Sequence, residues 1–463
     1  MKESVQTQQK GLVGKYYPYP EYKDSGVEWL GEVPSEWIAT RLKFIASINM
    51  GQSPNSEDCN DLGIGNPFLQ GNAEFGQRSP TPKQYCDSAK KNANVGDFLF
   101  SVRAPVGAVN IADQRYGIGR GLCAIRSHED IAHLYLWWVL QTSKIQFDAI
   151  STGSTFEAVS SEQVCNFALA IPSKYEQHTI ATFLDYETAR IDQLITKQQQ
   201  LIELLKEKRQ AVITQAVTKG LNPKVPMKNA GVEWLEQVPE HWTVTTLRNL
   251  IRAEAVILQD GNHGELHPTA SEYVDDGIPF LMANNVRDGR VNLTDCKRIS
   301  KNRADMLRIG FAKAGDMLLT HKGTVGEVAM IPADISEPYW MLTPQVTYYR
   351  WTEDKFDAAF YMYQFQSKSI LTQLDIIGSK QSTRAYVGLI AQGDLVVTVP
   401  PIMEQRAIRE ELRKHAERFD RMFARATGLI ELLQERRTAL ISAAVTGKID
   451  LRGWTPPAEE VAA

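Results

Sequence analysis

The strongest constraint on the fold is a duplication, because one sequence unit is written twice along the chain in the same order. The twelve residues GVEWLGEVPSEW return as GVEWLEQVPEHW, and two later segments return in the same way. The matched pairs are 26–37 with 231–242, 96–112 with 315–331, and 204–220 with 432–448. The offset grows from 205 to 219 to 228 residues, so short insertions separate the copies. Solenoid repeats span about 20 to 50 residues, so this longer period predicts a tandem pair of domains.

Composition and charge narrow the class of protein. The 463 residues are 43% hydrophobic and 23% charged, which is typical of a folded globular protein. The net charge of −4 predicts that any nucleic-acid binding uses local patches or a basic partner. The five scattered cysteines contain no CxxC pair and indicate a reducing compartment. The N-terminal segment lacks the apolar run of a signal peptide, and LYLWWVL at 134–140 is too short to span a bilayer, which predicts a cytoplasmic protein that does not bind a membrane.

Each copy consists of two different parts, which predicts an α+β fold. The first part is rich in Gly, Pro and short apolar runs, and GDFLF followed by VGAVNI is typical of a β-hairpin in a mainly β domain. The second part is helical, since residues 176–218 contain neither Gly nor Pro.

Apolar residues recur along both helical parts at alternating spacings of four and three, with breaks at Glu187, Gln198 and Lys208 and at His415, Ala426 and Arg436, which indicates a coiled-coil seam. The two sets match at an offset of 228: Ile180, Leu184, Ile191, Leu194, Leu201, Leu205 and Val212, and Ile408, Leu412, Phe419, Met422, Leu429, Leu433 and Leu440. Because a β domain separates the helices in sequence, the second helix most simply begins where the first ends. We therefore predict an antiparallel coiled coil with a pseudo-two-fold internal repeat.

The framework segments carry a family resemblance. YPEYKDSGVEWLGEVPSEW and the two helices that end in AVTKG and AVTGKIDLRGW resemble the specificity subunit of type I restriction-modification enzymes, over nearly the whole chain. The resemblance implies two target recognition domains that alternate with two spacer helices. The expected segments are an N-terminal arm (1–24), recognition domain 1 (25–172), spacer helix 1 (173–222), recognition domain 2 (223–400), spacer helix 2 (401–454) and a flexible tail (455–463).

The resemblance also implies a function. Each recognition domain would read one half of a bipartite site in double-stranded DNA, and the helices would dock two methyltransferase subunits. A restriction and translocase subunit would join that complex. The chain itself would bind no cofactor, since S-adenosylmethionine would belong to the methyltransferase subunits, and ATP and Mg to the restriction subunit. An alternative, which the net acidity favours slightly, is a helical scaffold that bridges protein partners without DNA readout.

Three short motifs partly resemble those of catalytic, cofactor or metal sites. GNPF at 65–68 lacks the second proline of a methyltransferase NPPY motif, YGIGRG at 116–121 does not satisfy GxGxxG, and HGELH at 263–267 does not match HExxH. These departures predict a strand start, a glycine-rich turn and an inserted loop, so we expect a non-enzymatic chain without a metal site.

Polar side chains in the loops that follow the matched strands are the candidates for DNA contact. Arg suits guanine, and Asn or Gln suits adenine, because each can form two hydrogen bonds with that base. The candidates are Gln70, Asn72, Arg103, Ser154, Thr155, Asn284, Asn285, Arg287, Lys322, Ser379, Lys380, Gln381 and Arg384. Four tryptophans of the repeated dozen residues, Trp29, Trp37, Trp234 and Trp242, are expected to pack in the domain cores.

Overall fold

A computed structural model describes residues 16–142, 147, 158–379 and 386–457, without the side chains of Ser56 and Glu265. The chain divides into two compact units. The first consists of residues 1–198 with 427–463, and the second of residues 199–426. Each unit therefore contains one β-rich part together with a portion of each long helix. The mixed α+β architecture predicted from the sequence is confirmed.

The helices comprise two long ones and several short ones within the β-rich parts. In chain order they are α1 His133–Gln141, α2 Ser161–Cys165, α3 Lys174–Lys219, α4 Leu247–Arg252, α5 Lys301–Asp305, α6 Ala358–Gln366, α7 Lys368–Ser379, α8 Leu389–Gln392 and α9 Ile402–Val445.

The strands are short, and those of the first unit precede those of the second in sequence. In the first unit they are β1 Tyr22–Asp24, β2 Glu32–Pro34, β3 Ile38–Arg41, β4 Ala46–Met50, β5 Cys59–Asn60, β6 Asn66–Leu69, β7 Gln84–Cys86, β8 Asn92–Ala93, β9 Phe98–Ser101, β10 Val109–Ile111, β11 Tyr116–Ile118, β12 Leu122–Ser127 and β13 Ala168–Ile171. In the second unit they are β14 Met227–Asn229, β15 Gln237–Pro239, β16 Thr243–Thr246, β17 Val256–Asp260, β18 Tyr273–Val274, β19 Ile278–Leu281, β20 Val286–Arg287, β21 Arg290–Val291, β22 Lys297–Ile299, β23 Phe311–Ala312, β24 Met317–Thr320, β25 Val328–Met330, β26 Trp340–Leu342, β27 Val346–Trp351 and β28 Val396–Val399.

The sheets repeat between the units strand for strand. The four-stranded sheet has the order β10-β9-β12-β4 in the first unit, and its counterpart in the second is β17-β27-β24-β25. The five-stranded sheets are β5-β7-β6-β11-β8 and β18-β22-β19-β26-β23. The predicted GDFLF hairpin is confirmed, because β10 pairs antiparallel with β9. The hairpin β20-β21 belongs to the second unit and lies beyond the insertion that lengthens that copy.

Both long helices begin within two residues of a proline and are followed within two residues by a glycine. Gln177 in the first turn of α3 donates from Nε2 to the Pro172 carbonyl at 3.1 Å, and Gln405 in α9 does the same to Pro400 at 2.8 Å. At the C-terminal ends, Gly220 and Gly447 have φ of 73° and 68°, the left-handed conformation that terminates a helix most easily at glycine.

Within the first unit, the repeated dozen residues join both helices. Trp37 is buried and donates from Nε1 to Glu176 Oε1 of α3 at 3.3 Å. Tyr19 also donates to this carboxylate. The pKa of Tyr19 is raised mainly by burial and further by this hydrogen bond. Gly447, just beyond α9, lies so close that a Cβ there would be 2.3 Å from Pro34 Cδ. The start of α3 therefore lies beside the end of α9, as antiparallel pairing requires.

The second unit repeats this arrangement with the helices exchanged. Trp242 donates from Nε1 to Glu404 Oε2 of α9 at 2.9 Å, and a Cβ at Gly220 would be 3.3 Å from the Trp242 ring. The start of α9 thus lies beside the end of α3. The repeated segment recurs because each β-rich part needs the same anchor for two helix ends. Core packing is confirmed for Trp37 and Trp242 but is wrong for Trp234, which is 37% exposed.

The helix seam is buried near the helix ends. Ile180, Leu184 and Ile191 share the core of the first unit with Leu440, and Ile408 and Leu412 share that of the second with Ile213. Further along the helices, three seam residues are exposed by 40 to 47%: Leu194, Leu201 and Leu429. The coiled-coil seam predicted from the sequence is therefore buried near the helix ends, and these three of its positions are partly open to solvent.

Candidate nucleic-acid interface

Four loops of the first unit meet at one edge of its sheets. We name residues 51–53, 69–72, 102–106 and 119–121 the first rim. Backbone hydrogen bonds join these loops: Gly119 N donates to Leu69 O at 2.8 Å, Gly121 N to Gln70 O at 3.2 Å, and Val102 N to Gly121 O at 3.0 Å. Because these bonds are made by the backbone, side chains outside the contacts between the loops are free to vary without loss of the rim.

Glycines make this close approach possible. A Cβ at Gly51 would lie 2.1 Å from the Gly119 carbonyl oxygen, and one at Gly121 would lie 2.5 Å from the Gln70 carbonyl oxygen. Any side chain there would force the loops apart. The YGIGRG segment is therefore the glycine-rich turn that the sequence predicts, and Arg120 is its exposed side chain between two glycines.

The candidate residues of the first unit divide by how their side chains are engaged. Gln70 donates from Nε2 to Ser53 Oγ at 2.8 Å, and Asn72 donates from Nδ2 to the Pro105 carbonyl at 3.3 Å. Both amides therefore hold one rim loop to another. Arg103 is exposed, and its backbone pairs with Ala158 in an antiparallel bridge. Ser154 and Thr155 lie outside the described residues.

The second unit builds an equivalent rim from residues 260–263, 281–285, 321–326 and 343–345, which we name the second rim. Thr343 N donates to Leu281 O at 3.0 Å and His321 N to Gln345 O at 2.9 Å, which reproduce two bonds of the first rim. Gly261 takes the place of Gly51, since a Cβ there would lie 1.9 Å from the Leu342 carbonyl oxygen.

The candidates of the second unit have unequal surroundings. Asn284 and Lys322 are exposed. The side chain of Asn285 is buried: its Oδ1 accepts from Met282 N at 2.9 Å, and its Nδ2 donates to Asn292 O at 3.0 Å. This geometry favours a role in loop structure for Asn285.

Two further candidates in the second unit are engaged by neighbours. Arg287 Nη1 lies 2.9 Å from Glu327 Oε1, and 44% of its side chain is exposed, so the pair leaves part of the guanidinium accessible. Ser379 closes α7, where its hydroxyl donates to Ile376 O at 3.0 Å. Lys380, Gln381 and Arg384 lie outside the described residues.

A buried histidine supports the second rim, and a comparison of the two copies does not predict it, because Val102 occupies the equivalent position of the first copy. His321 is fully buried, and its Nδ1 lies 2.8 Å from Thr347 Oγ1. Thr347 Oγ1 accepts from Gln392 Nε2 at 3.2 Å, which favours donation of its own hydrogen to His321 Nδ1. The imidazole then carries its hydrogen on Nε2, for which the described residues offer no acceptor.

Burial also keeps this histidine neutral. Desolvation lowers the pKa of His321 to about 4, and the charges of His263 and Lys322 act in the same direction, whereas Asp260 opposes them. The second rim therefore places an uncharged imidazole directly beside the exposed Lys322 ammonium.

Among the described residues, no group of three or more His, Cys, Asp or Glu side chains could hold a metal ion. In the HGELH segment, His263 Nε2 instead lies 2.8 Å from Asp260 Oδ2. The same described part of the chain contains no helix long and apolar enough to cross a membrane.

Comparisons with known proteins all find similarity to specificity proteins of type I restriction systems. Residues 34–204 match the family model described as type I restriction modification DNA specificity domain. The chain is 35% identical over 215 residues to a putative type I restriction enzyme specificity subunit of Methanocaldococcus jannaschii, an alignment that covers 44% of this chain and 49% of that relative. It is 22% identical to a type I restriction enzyme specificity subunit of Escherichia coli, over 84% of this chain and 81% of that one.

The fold also matches a solved structure. A chain from a study of complex assembly and conformational transition of the type I R-M system superposes with a TM-score of 0.65 at 15% identity, covering 89% of this chain and 98% of that chain. At this identity the match shows a shared fold.

Proposed function

We propose that this chain, which belongs to the family of type I restriction-modification specificity subunits, selects a bipartite DNA site by reading one half with each of its two rims. The observation that carries this proposal is the pair of rims. Equivalent backbone hydrogen bonds hold each rim together, but the side chains at equivalent positions differ. A duplicated scaffold with diverged loops suits recognition of two different half-sites, since loops vary freely on a fixed frame. Exposed Arg103 and Lys322 at equivalent positions are suited to bases or phosphates.

We further propose that the long helices dock two methyltransferase subunits. Exposed leucines on both helices support this, since unpaired apolar side chains on a helix surface commonly mark an interface. They are Leu194, Leu201, Leu204, Leu429 and Leu432, each at least 40% exposed. In this proposal the chain is not itself an enzyme and binds no cofactor. S-adenosylmethionine belongs to the methyltransferase subunits, and ATP with Mg to a restriction and translocase subunit that joins the complex in the cytoplasm.

Methylation assays with separated components test this proposal. The purified chain with S-adenosylmethionine should not methylate DNA, and addition of its cognate methyltransferase subunits should produce methylation at one split sequence. Methylation by the chain alone would refute the non-enzymatic assignment. If the reconstituted complex bound protein partners but its methylation did not depend on DNA sequence, the chain would instead be a scaffold without readout.

A further inference from the structure

Two exposed arginines lie on neighbouring segments of the first rim, Arg103 just after strand β9 and Arg120 just before strand β12. Strand β9 pairs antiparallel with β12, with Ser101 opposite Leu122. One residue further, Val102 N donates to the Gly121 carbonyl at 3.0 Å. Beyond this bond the partners change, because Arg103 pairs with Ala158 and Leu122 N donates to Gly119 O at 3.0 Å, which closes a turn that contains Arg120. Arg103 and Arg120 are therefore the sequence neighbours of the two residues that the Val102–Gly121 bond joins.

Neither guanidinium is neutralised by a neighbour in the described part of the chain. Both side chains are exposed, and neither forms a hydrogen bond or ion pair with another described residue. In the same sheet Arg126 behaves differently, because its Nε lies 2.6 Å from Asp97 Oδ1. Neither guanidinium therefore contributes a favourable contact within the described residues, and the two together suit a ligand rich in hydrogen-bond acceptors.

The backbone beneath Arg120 is held in place before any ligand arrives. Its amide N donates to Ser53 Oγ at 3.3 Å, and Ser53 is fixed in turn by the Gln70 amide. Gly119 and Gly121 on either side allow the close approach of the Gln70 loop, as described above. A side chain on a pre-formed turn loses less conformational entropy on binding than one on a loop that must first become ordered.

The second rim lacks this arginine pair. Lys322 occupies the position of Arg103, and Pro344 occupies that of Arg120, because Thr343 and Val346 make the same pairings as Gly119 and Leu122. The first rim therefore presents two guanidinium groups where the second presents one ammonium. A guanidinium can donate two parallel hydrogen bonds, whereas an ammonium acts as a point charge.

We propose that Arg120, beside Arg103, is a specificity-determining residue that reads guanine in the half-site of the first unit. Each guanine offers N7 and O6 as two acceptors in the major groove, which match the two donors of one guanidinium. The half-site read by the first unit then contains a guanine whose identity depends on Arg120, and the half-site read by the second unit has no equivalent contact at Pro344. This inference rests on the proposed function and adds a residue that the duplication could not reveal.

The test uses the full chain reconstituted with its cognate methyltransferase subunits and a DNA library in which both half-sites are randomised. The variants are Arg120→Ala, Arg120→Lys and the control Arg115→Ala. Arg115 is also exposed and lies at the opposite end of β11 from Arg120, so its loss removes one positive charge from the same domain without altering the rim. Thermal unfolding of each variant verifies folding, and Arg103→Ala serves as a second rim variant.

The wild-type complex is expected to require guanine at one or more positions of one half-site. Arg120→Ala should lower the preference for one of these guanines by at least about fivefold and leave the other half-site unchanged. Arg120→Lys should not restore that preference, since lysine keeps the charge but loses the paired donors, and Arg115→Ala should match the wild type.

Two results would overturn the inference while leaving the proposed function intact. One is an unchanged sequence preference in both Arg120 variants. The other is a uniform loss of binding with a weaker salt dependence that Arg120→Lys restores, which would identify a phosphate contact. If the wild-type complex showed no methylation dependent on this chain, the proposed function would fail and the inference with it.

Discussion

Asp192 and Arg437 form an ion pair between the two long helices of the first unit, with Arg437 Nε 3.1 Å from Asp192 Oδ1. The second unit contains the same pair with the helices exchanged, since Arg209 Nη1 lies 3.3 Å from Asp420 Oδ1. Both acids and both arginines are 228 positions apart, which is the offset of the helical repeat. Two copies of one helix that pair antiparallel must make each interhelical contact twice, so the duplicated ion pair follows from the duplicated sequence.

A charge exchange tests this pairing in the first unit. Arg437→Asp alone should lower the midpoint of thermal unfolding, because it places two carboxylates opposite each other. The double variant Asp192→Arg with Arg437→Asp should recover part of the loss. Both side chains are about one third exposed, at 39% and 33%, so we expect a coupling of only about 0.5 kcal/mol. Strictly additive effects of the two substitutions would contradict the pairing.

The two helix-anchoring glutamates should differ in their contribution to stability. Glu176 is buried and accepts hydrogen bonds from Tyr19 and Trp37. Glu176→Ala should therefore lower the free energy of unfolding by about 2 kcal/mol, because buried donors lose their acceptor. Glu404→Ala is the matched control, since the Glu404 side chain is 42% exposed and water can replace it. Calorimetry of both variants measures this, and equal losses would show that burial does not set the difference.

Two neighbouring asparagines of the second rim should have different roles: Asn285 in the structure of the loop and Asn284 in contact with a ligand. Asn285→Ala should reduce thermal stability by about 1 to 2 kcal/mol, because the Met282 amide and the Asn292 carbonyl lose their partner. Asn284→Ala should leave stability unchanged, since Asn284 is exposed. If Asn284 contacts DNA, its variant should weaken methylation of the cognate site. A stability loss in Asn284→Ala together with none in Asn285→Ala would contradict this assignment.

Acidification should destabilise the second unit through His321. The pKa of His321 is about 4 in the folded chain and near 6.5 without burial. Between these values the unfolded state binds more protons, so the free energy of unfolding falls as the pH drops below 6.5, by about 1 kcal/mol at pH 5.5. The wild type should therefore lose about 3 °C of melting temperature between pH 7.5 and 5.5 beyond the loss seen in His321→Gln. Identical pH dependence in both proteins would rule out this contribution.

The duplication made much of the fold predictable. The segment GVEWLGEVPSEW and its copy indicated two equivalent domains, and the apolar spacing from Ile180 to Val212 indicated a long helix, which the structure extends to Lys174–Lys219. The interhelical ion pairs were also available from the sequence, because Asp192 and Arg209 recur as Asp420 and Arg437 at the same offset. The exposure of Leu194 and Leu201 could not be predicted, because apolar spacing identifies one face of a helix and does not show what covers that face.

The candidate interface was less predictable, because its residues are the ones that differ between copies. Arg120 matches a proline and His321 matches a valine, so a comparison of the two halves passes over both. Asn285 looks like a DNA contact by residue type, and only the loop geometry shows its amide directed into the chain. Residue type indicates which groups can read a base, whereas register and burial decide which of them are free to do so.

The most direct test of the central claim is an exchange of residues 25–172 for the corresponding segment of a type I restriction enzyme specificity subunit, followed by methylome mapping of cells that also carry the methyltransferase subunits. If each unit reads its own half-site, the methylated sequence should change in one half and remain the same in the other. A change in both halves, or methylation that keeps the original sequence throughout, would contradict independent reading by the two units.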